Sequence, residues 1–154
     1  MAKDIRLFWD RDLMECDCAF GSGDIATDDG FSTAIYLSLF TDRRARDDDK
    51  VDDPDDRGGW WGDQTSVDEI GSRLWLLRRA KTTQANLNIA KGYIQEALKW
   101  MIDDGVAQKI SVAVERAGSS MDRLYYNILI QKSDGDIIAE KYDDVWNAQL
   151  SRDY

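Results

Sequence analysis

Apolar and polar positions alternate at the start of the chain, where Ile5, Leu7 and Trp9 are separated by Arg6, Phe8 and Asp10; this predicts a strand. Leu13 to Ala19 is read as its hairpin mate, and Gly21-Ser22-Gly23 as a break. Over Phe31 to Thr41 the period changes. Phe31, Ala34, Ile35, Ser38 and Leu39 fall on one side of a helix, and Asp28-Asp29 offers an aspartate as its cap, although Ile35-Tyr36-Leu37 would also suit a strand. The strongest helical pattern spans Thr83 to Asp103. Its stripe is Leu87, Ala90, Ile94, Ala97, Leu98 and Met101, with Trp100 at the margin, Thr82 or Thr83 as cap and Gly105 as terminator. Lys109 to Arg116 and Leu124 to Gln131 alternate as strands joined through Gly118-Ser119-Ser120. Asp134-Gly135 is a further turn, and Ile137-Ile138 is expected to add a short strand. Residues 142–154, with Val145, Trp146 and Leu150, read as a loose amphipathic tail suited to docking. These elements give an α+β fold, with residues 1–154 as one domain. An antiparallel sheet, built from the N-terminal strand and the C-terminal hairpin, is packed by two to three helices.

Two stretches do not fit this periodicity. Residues 42–57 carry eight aspartates against five cations, almost no apolar residue and the only proline, Pro54, which predicts a long exposed loop left for a partner to order. No calcium loop of D-x-[DN]-x-[DN]-G form with a closing Glu is present in it. Arg43, Arg44 and Arg46 follow a helix end, where cations suit the dipole. Next comes Arg57-Gly58-Gly59-Trp60-Trp61-Gly62-Asp63, and soon after it Gly71-Ser72-Arg73-Leu74-Trp75-Leu76-Leu77-Arg78-Arg79; together they hold three of the six tryptophans and four glycines. Glycines around Trp60 and Trp61 point to a shaped turn presenting two large rings, one for the core and one for a partner. Ser66-Val67-Asp68-Glu69 has the form of a capping box and predicts a short helix through Ile70. Arg73, Arg78 and Arg79 form a local basic patch, read either as pairing with the aspartate loop or as docking on an acidic partner.

Composition narrows the chemistry. A formal net charge of −10 argues against nucleic-acid binding and favours basic protein surfaces. The absence of histidine removes Ser-His-Asp and Cys-His catalysis and the usual zinc sites. Cys16 and Cys18 alone cannot complete a metal site, and their C-x-C spacing disfavours a relaxed disulfide, so free thiols in a reducing cytoplasm are expected. No cofactor is called for. The charged start Met1 to Asp10 does not read as a signal peptide, and no apolar run reaches the length of a membrane span.

In order along the chain, Thr33-Ala34, Ser38 to Ala45, an acidic loop, Gly59-Trp60-Trp61-Gly62-Asp63 and Gly71 to Leu77 resemble the small baseplate protein family of Mu-like contractile-tailed phages. That family is similar to the baseplate wedge proteins once described as lysozyme-like. The resemblance covers roughly residues 4 to 135, with Gly58 standing where a second arginine would follow Arg57. It implies a helix at 31–41 and a structural, non-enzymatic part in the wedge of a tail baseplate, with sheath initiation as a further role. The partners would be other wedge proteins and the tail sheath or tube, in multiple symmetric copies, the protein residing in host cytoplasm before assembly into the virion. Arg43, Arg44, Trp60, Trp61, Asp63, Arg73 and Trp75 are the expected contact residues. Two other classes use the same region: a peptidoglycan-cleaving glycosidase, with Asp63 and Glu69 or Asp68 as its carboxyl pair, and a carbohydrate-binding tail module stacking sugars on the tryptophans.

Overall fold

The computed structural model describes residues 4–10, 15–28, 30–78, 80–117 and 123–143. Leu13 and Met14 of the expected hairpin mate, Arg79, the hairpin loop at Gly118-Ser119-Ser120 and the tail from residue 144 onward lie outside these.

The chain opens with short antiparallel ladders. β1 (Asp4–Ile5) pairs with β6 (Thr27–Asp28), β2 (Leu7–Asp10) with β3 (Glu15–Cys18), and β4 (Phe20–Gly21) with β5 (Asp24–Ile25). Backbone bonds from Arg6 N–H to Ala26 O and from Ala19 N–H to Arg6 O stitch the three together. The predicted hairpin is therefore present, and it ladders within the N-terminal region instead of extending the C-terminal sheet. Thr33 explains how it is held. Its hydroxyl donates to Ile5 O at 2.9 Å and accepts from Leu7 N–H at 3.2 Å, pinning the strand to the first helix.

That helix, α1 (Phe31–Phe40), buries Phe31, Thr33, Ile35, Ser38 and Leu39. Its N-cap is Gly30 in a left-handed conformation, and the side chains of Asp28-Asp29, on which the expected cap was placed, lie outside the described residues. An added Cβ on Gly30 would come within 3.0 Å of the Asp4 side chain. α2 (Gln84–Ala97) starts where the pattern placed it, with Thr83 Oγ1 accepting from Asn86 N–H. Leu98 interrupts the run and α3 (Lys99–Asp103) continues it, so every expected stripe residue from Leu87 to Met101 is buried. At Gly105, φ of +73° turns the chain into the sheet.

β7 (Ala107–Ala117), β8 (Arg123–Lys132) and β9 (Ile137–Asp143) form one antiparallel sheet in that order. The third strand is longer than the two isoleucines suggested, because Lys141 and Tyr142 continue its ladder against Asn127 and Tyr126. Cross-strand rows Ile110–Ile130–Ile138 and Val114–Tyr126–Tyr142 face the helices. α2 and α3 pack on β7, while α1 reaches β9 through Phe40 against Tyr142 and through Ser32 Oγ, which donates to Glu140 at 2.8 Å. One apolar core results. Among the described residues no helix is long and apolar enough to cross a membrane.

Candidate interface around the tryptophan turn

The segment between α1 and α2 has little regular structure, so side chains and glycines must specify its path. Gly58 and Gly59 take φ of +63° and +108°. Trp75 packs so closely on Gly58 that a Cβ there would lie 2.7 Å from the indole, and its Nε1 donates to Arg43 O at 2.7 Å. A side chain in place of Gly58 would displace this ring. Trp61–Thr65 then forms a 3₁₀ turn, closed by Thr65 Oγ1 donating to Gly62 O. Trp60 folds back over Gly62, where a Cβ would sit 2.1 Å from its ring. The two indoles stand 5.2 Å apart, inclined at 46°. Neither plugs the core: Trp60 is 42% exposed and Trp61 77%. Asp63 Oδ1 accepts from Ile70 N–H at 3.2 Å, whereas its buried Oδ2 has no hydrogen-bond partner.

Residues 66–70 do not form the predicted helix. Ser66 Oγ accepts from Asp68 N–H, two residues on, and the chain makes a loop held by Asp63 instead of a capping box. The second 3₁₀ turn, Leu74–Leu77, buries Leu74 and Leu77.

The cations of this region divide sharply. Arg73, expected at an interface, points inward: its guanidinium meets both oxygens of Asp49 at 2.7 and 2.8 Å, reaches Glu96 at 2.8 Å and lies 4.5 Å over the Tyr93 ring. Its side chain is 9% exposed and that of Asp49 11%. Arg43 bonds Glu69 at 3.0 Å, Arg46 joins Glu96, and Arg78 pairs with Asp42. Pairing of the arginines with the aspartate loop is thus the arrangement found, with Glu96 of α2 as a shared anion. The loop itself is mostly exposed, with Ala45 N–H bonded to Arg57 O and Asp49 N–H to Arg46 O. Arg44 is exposed and meets no carboxylate among the described residues. Of the seven expected contact residues, Trp60, Trp61 and Arg44 face solvent, Asp63 and Arg43 shape the turn, and Arg73 and Trp75 serve the interior. Sequence reasoning missed Asp49 and Glu96. Asp49 is one of many aspartates in its loop and carries no distinguishing signal; Glu96 has Lys99 three residues on as its local partner in sequence, whereas the fold pairs it with Arg46 and Arg73 and Lys99 with Asp103.

Burial pushes the Asp49 carboxyl up, but the Arg73 hydrogen bond and the Arg46 backbone N–H outweigh it and hold the group below the usual carboxylate range. A carboxyl depressed in the folded state stabilises above its unfolded value and loses that contribution as pH falls through the folded one. Urea midpoints should therefore fall on acidification below about pH 4, more steeply in the parent than in Asp49→Asn. Equal acid limbs in the two proteins would remove Asp49 as the source.

The model of the family described as phage protein GP46 matches residues 31–137 of this chain. The chain is similar to the baseplate protein gp46 of Escherichia phage Mu, at 43% identity over 135 residues that cover 82% of this chain and 92% of the relative. It is also similar to the Mu-like prophage FluMu protein gp46 of Haemophilus influenzae, at 34% identity over 146 residues, covering 94% and 98% respectively.

Proposed function

The chain belongs to the phage protein GP46 family, and from that premise we propose that it is a structural component of a contractile phage tail baseplate, in which the Trp60-Trp61 turn docks on a neighbouring protein. The observation that carries the contact surface is the exposed pair of adjacent indoles on a turn fixed by glycines and by the Trp75 bond to Arg43. Large rings held in place before binding lose little conformational freedom on docking and supply much of an interface's energy. Arg44 lies beside them, free to meet a carboxylate across the contact.

Within the baseplate the chain takes a place in the wedge, in several symmetric copies. Among the described residues nothing pairs with the outer edge of β9, and Ile137 on it is well exposed. That edge suits addition of a strand from a sheath or tube subunit, the route to sheath initiation. The role is assembly and not catalysis. Glu69 is exposed and engaged by Arg43, so it does not sit in the apolar pocket that a general acid of a carboxyl pair requires.

A phage or prophage deleted for its own copy, complemented by this chain, tests the reading. Wild type should be recovered in purified tails, and Trp60→Ala/Trp61→Ala should fall to less than about a tenth of that level while its thermal midpoint stays within a few degrees. Normal recovery of the double variant would remove the turn as a contact. Tails that never contain the wild-type chain would remove the baseplate role.

A further inference from the structure

Between the tryptophan turn, the C-terminal half of α1 and the α2–α3 corner lies an open groove of about 910 Å³. Leu37, Trp60, Val67 and Trp100 give it an apolar surface, and Val67 is wholly exposed. Trp100 is fixed in place by its Nε1 donating to Ser38 Oγ at 3.0 Å. Apolar side chains left this open on a highly charged chain mark unspent burial.

The groove's charge is unbalanced. Its three cations are already engaged, Arg43 by Glu69, Arg46 by Glu96 and Lys99 by Asp103. Asp68 and Asp104 also line it, are exposed and meet no cation among the described residues. Two exposed, uncompensated carboxylates beside two indoles call for a partner that is both cationic and apolar. The helical walls have their backbone groups bonded internally, so an extended segment would find few main-chain partners on them. A helix arrives with its own already satisfied. The volume matches about two turns of one.

We infer that this groove receives a basic amphipathic helix from another baseplate polypeptide. Its lysines or arginines face Asp68 and Asp104, and its apolar residues lodge against Trp60, Val67 and Trp100. This rests on the baseplate reading and names the chemistry of one neighbour.

The test places the photo-reactive residue p-benzoylphenylalanine at Val67 in the complementing copy, irradiates intact tails and sequences the cross-linked peptide. The expected product is one segment of a different tail protein, with net positive charge and with basic and apolar residues at helical spacing. Its yield should drop at least tenfold in Asp68→Lys/Asp104→Lys, whose fold is checked by circular dichroism. A neutral or acidic segment, an unchanged yield in the charge-reversed variant, or no product from tails that contain the chain overturns the inference. The same label at Trp61 separates the two readings. Cross-linking there but not at Val67 leaves the baseplate role standing and removes the groove, whereas tails lacking the chain remove both.

Discussion

Replacing Arg73 by methionine will destabilise the protein by about 3–5 kcal/mol, the loss expected when one partner of a buried ion pair is removed and the other charges stay. The substitution keeps most of the side chain's volume, so the effect isolates charge. Asp49, nearly as buried as Arg73, would lose both of its guanidinium bonds, and Glu96 would lose two more. Desolvation disfavours the Arg73 cation, and the bonds to Asp49 and Glu96 more than restore it. The anions depend on it in turn. In a chain of this length the change corresponds to roughly 6–20 °C in thermal midpoint. Adding Asp49→Asn and Glu96→Gln to Arg73→Met should recover more than half of the loss, because the stranded charges go with their partner. A single substitution that costs less than about 1 kcal/mol would mean that water screens the cluster and that the loop draws its shape from elsewhere.

The second large effect belongs to Gly71→Ala. Gly71 has φ of +98°, and an added Cβ would come 2.2 Å from the carbonyl oxygen of Thr41, a backbone atom with no room to retreat. The same carbonyl accepts from Ser72 N–H at 2.9 Å, Arg43 N–H returns a bond to Ser72 O, and Ser72 Oγ donates to Leu39 O. Relieving the overlap would break this junction between the end of α1 and the second 3₁₀ turn. Backbone strain and overpacking together should cost about 3 kcal/mol or more. Gly135→Ala is the control. Its φ of +96° is nearly the same, but nothing lies within 4 Å of the added Cβ, so only the conformational penalty applies. Equal losses in the two variants, measured by urea unfolding, would refute the account based on Thr41.

The regular elements were legible in the sequence because their periods are set by burial on one face. Leu87 to Met101 repeats at helical spacing and Leu124 to Ile130 at strand spacing, and both patterns lead to the same core. What was not legible depended on tertiary geometry. The Ser66 motif reads locally as a helix start, yet Asp63 claims the Ile70 amide and the segment stays a loop. Arg73 and Arg43 look alike in sequence, and only the fold buries the first between Asp49 and Glu96. The tryptophan turn was recognisable from its glycines and from the family resemblance. The exposure of both rings was not, since adjacent large apolar residues ordinarily favour at least one buried ring.

The tie between α1 and β9 has a consequence for synthesis. Ser32 and Glu140 are separated by 108 residues, and Phe40 meets Tyr142 over a similar span. Contacts this distant in sequence close late, after the loop entropy between them has been overcome. As the chain leaves the ribosome, α1 emerges early and stays without the β9 part of its covering until most of the chain has been made. For that interval its apolar face is open to other nascent chains, so the hazardous stage for aggregation is translation itself, before any tail protein is met.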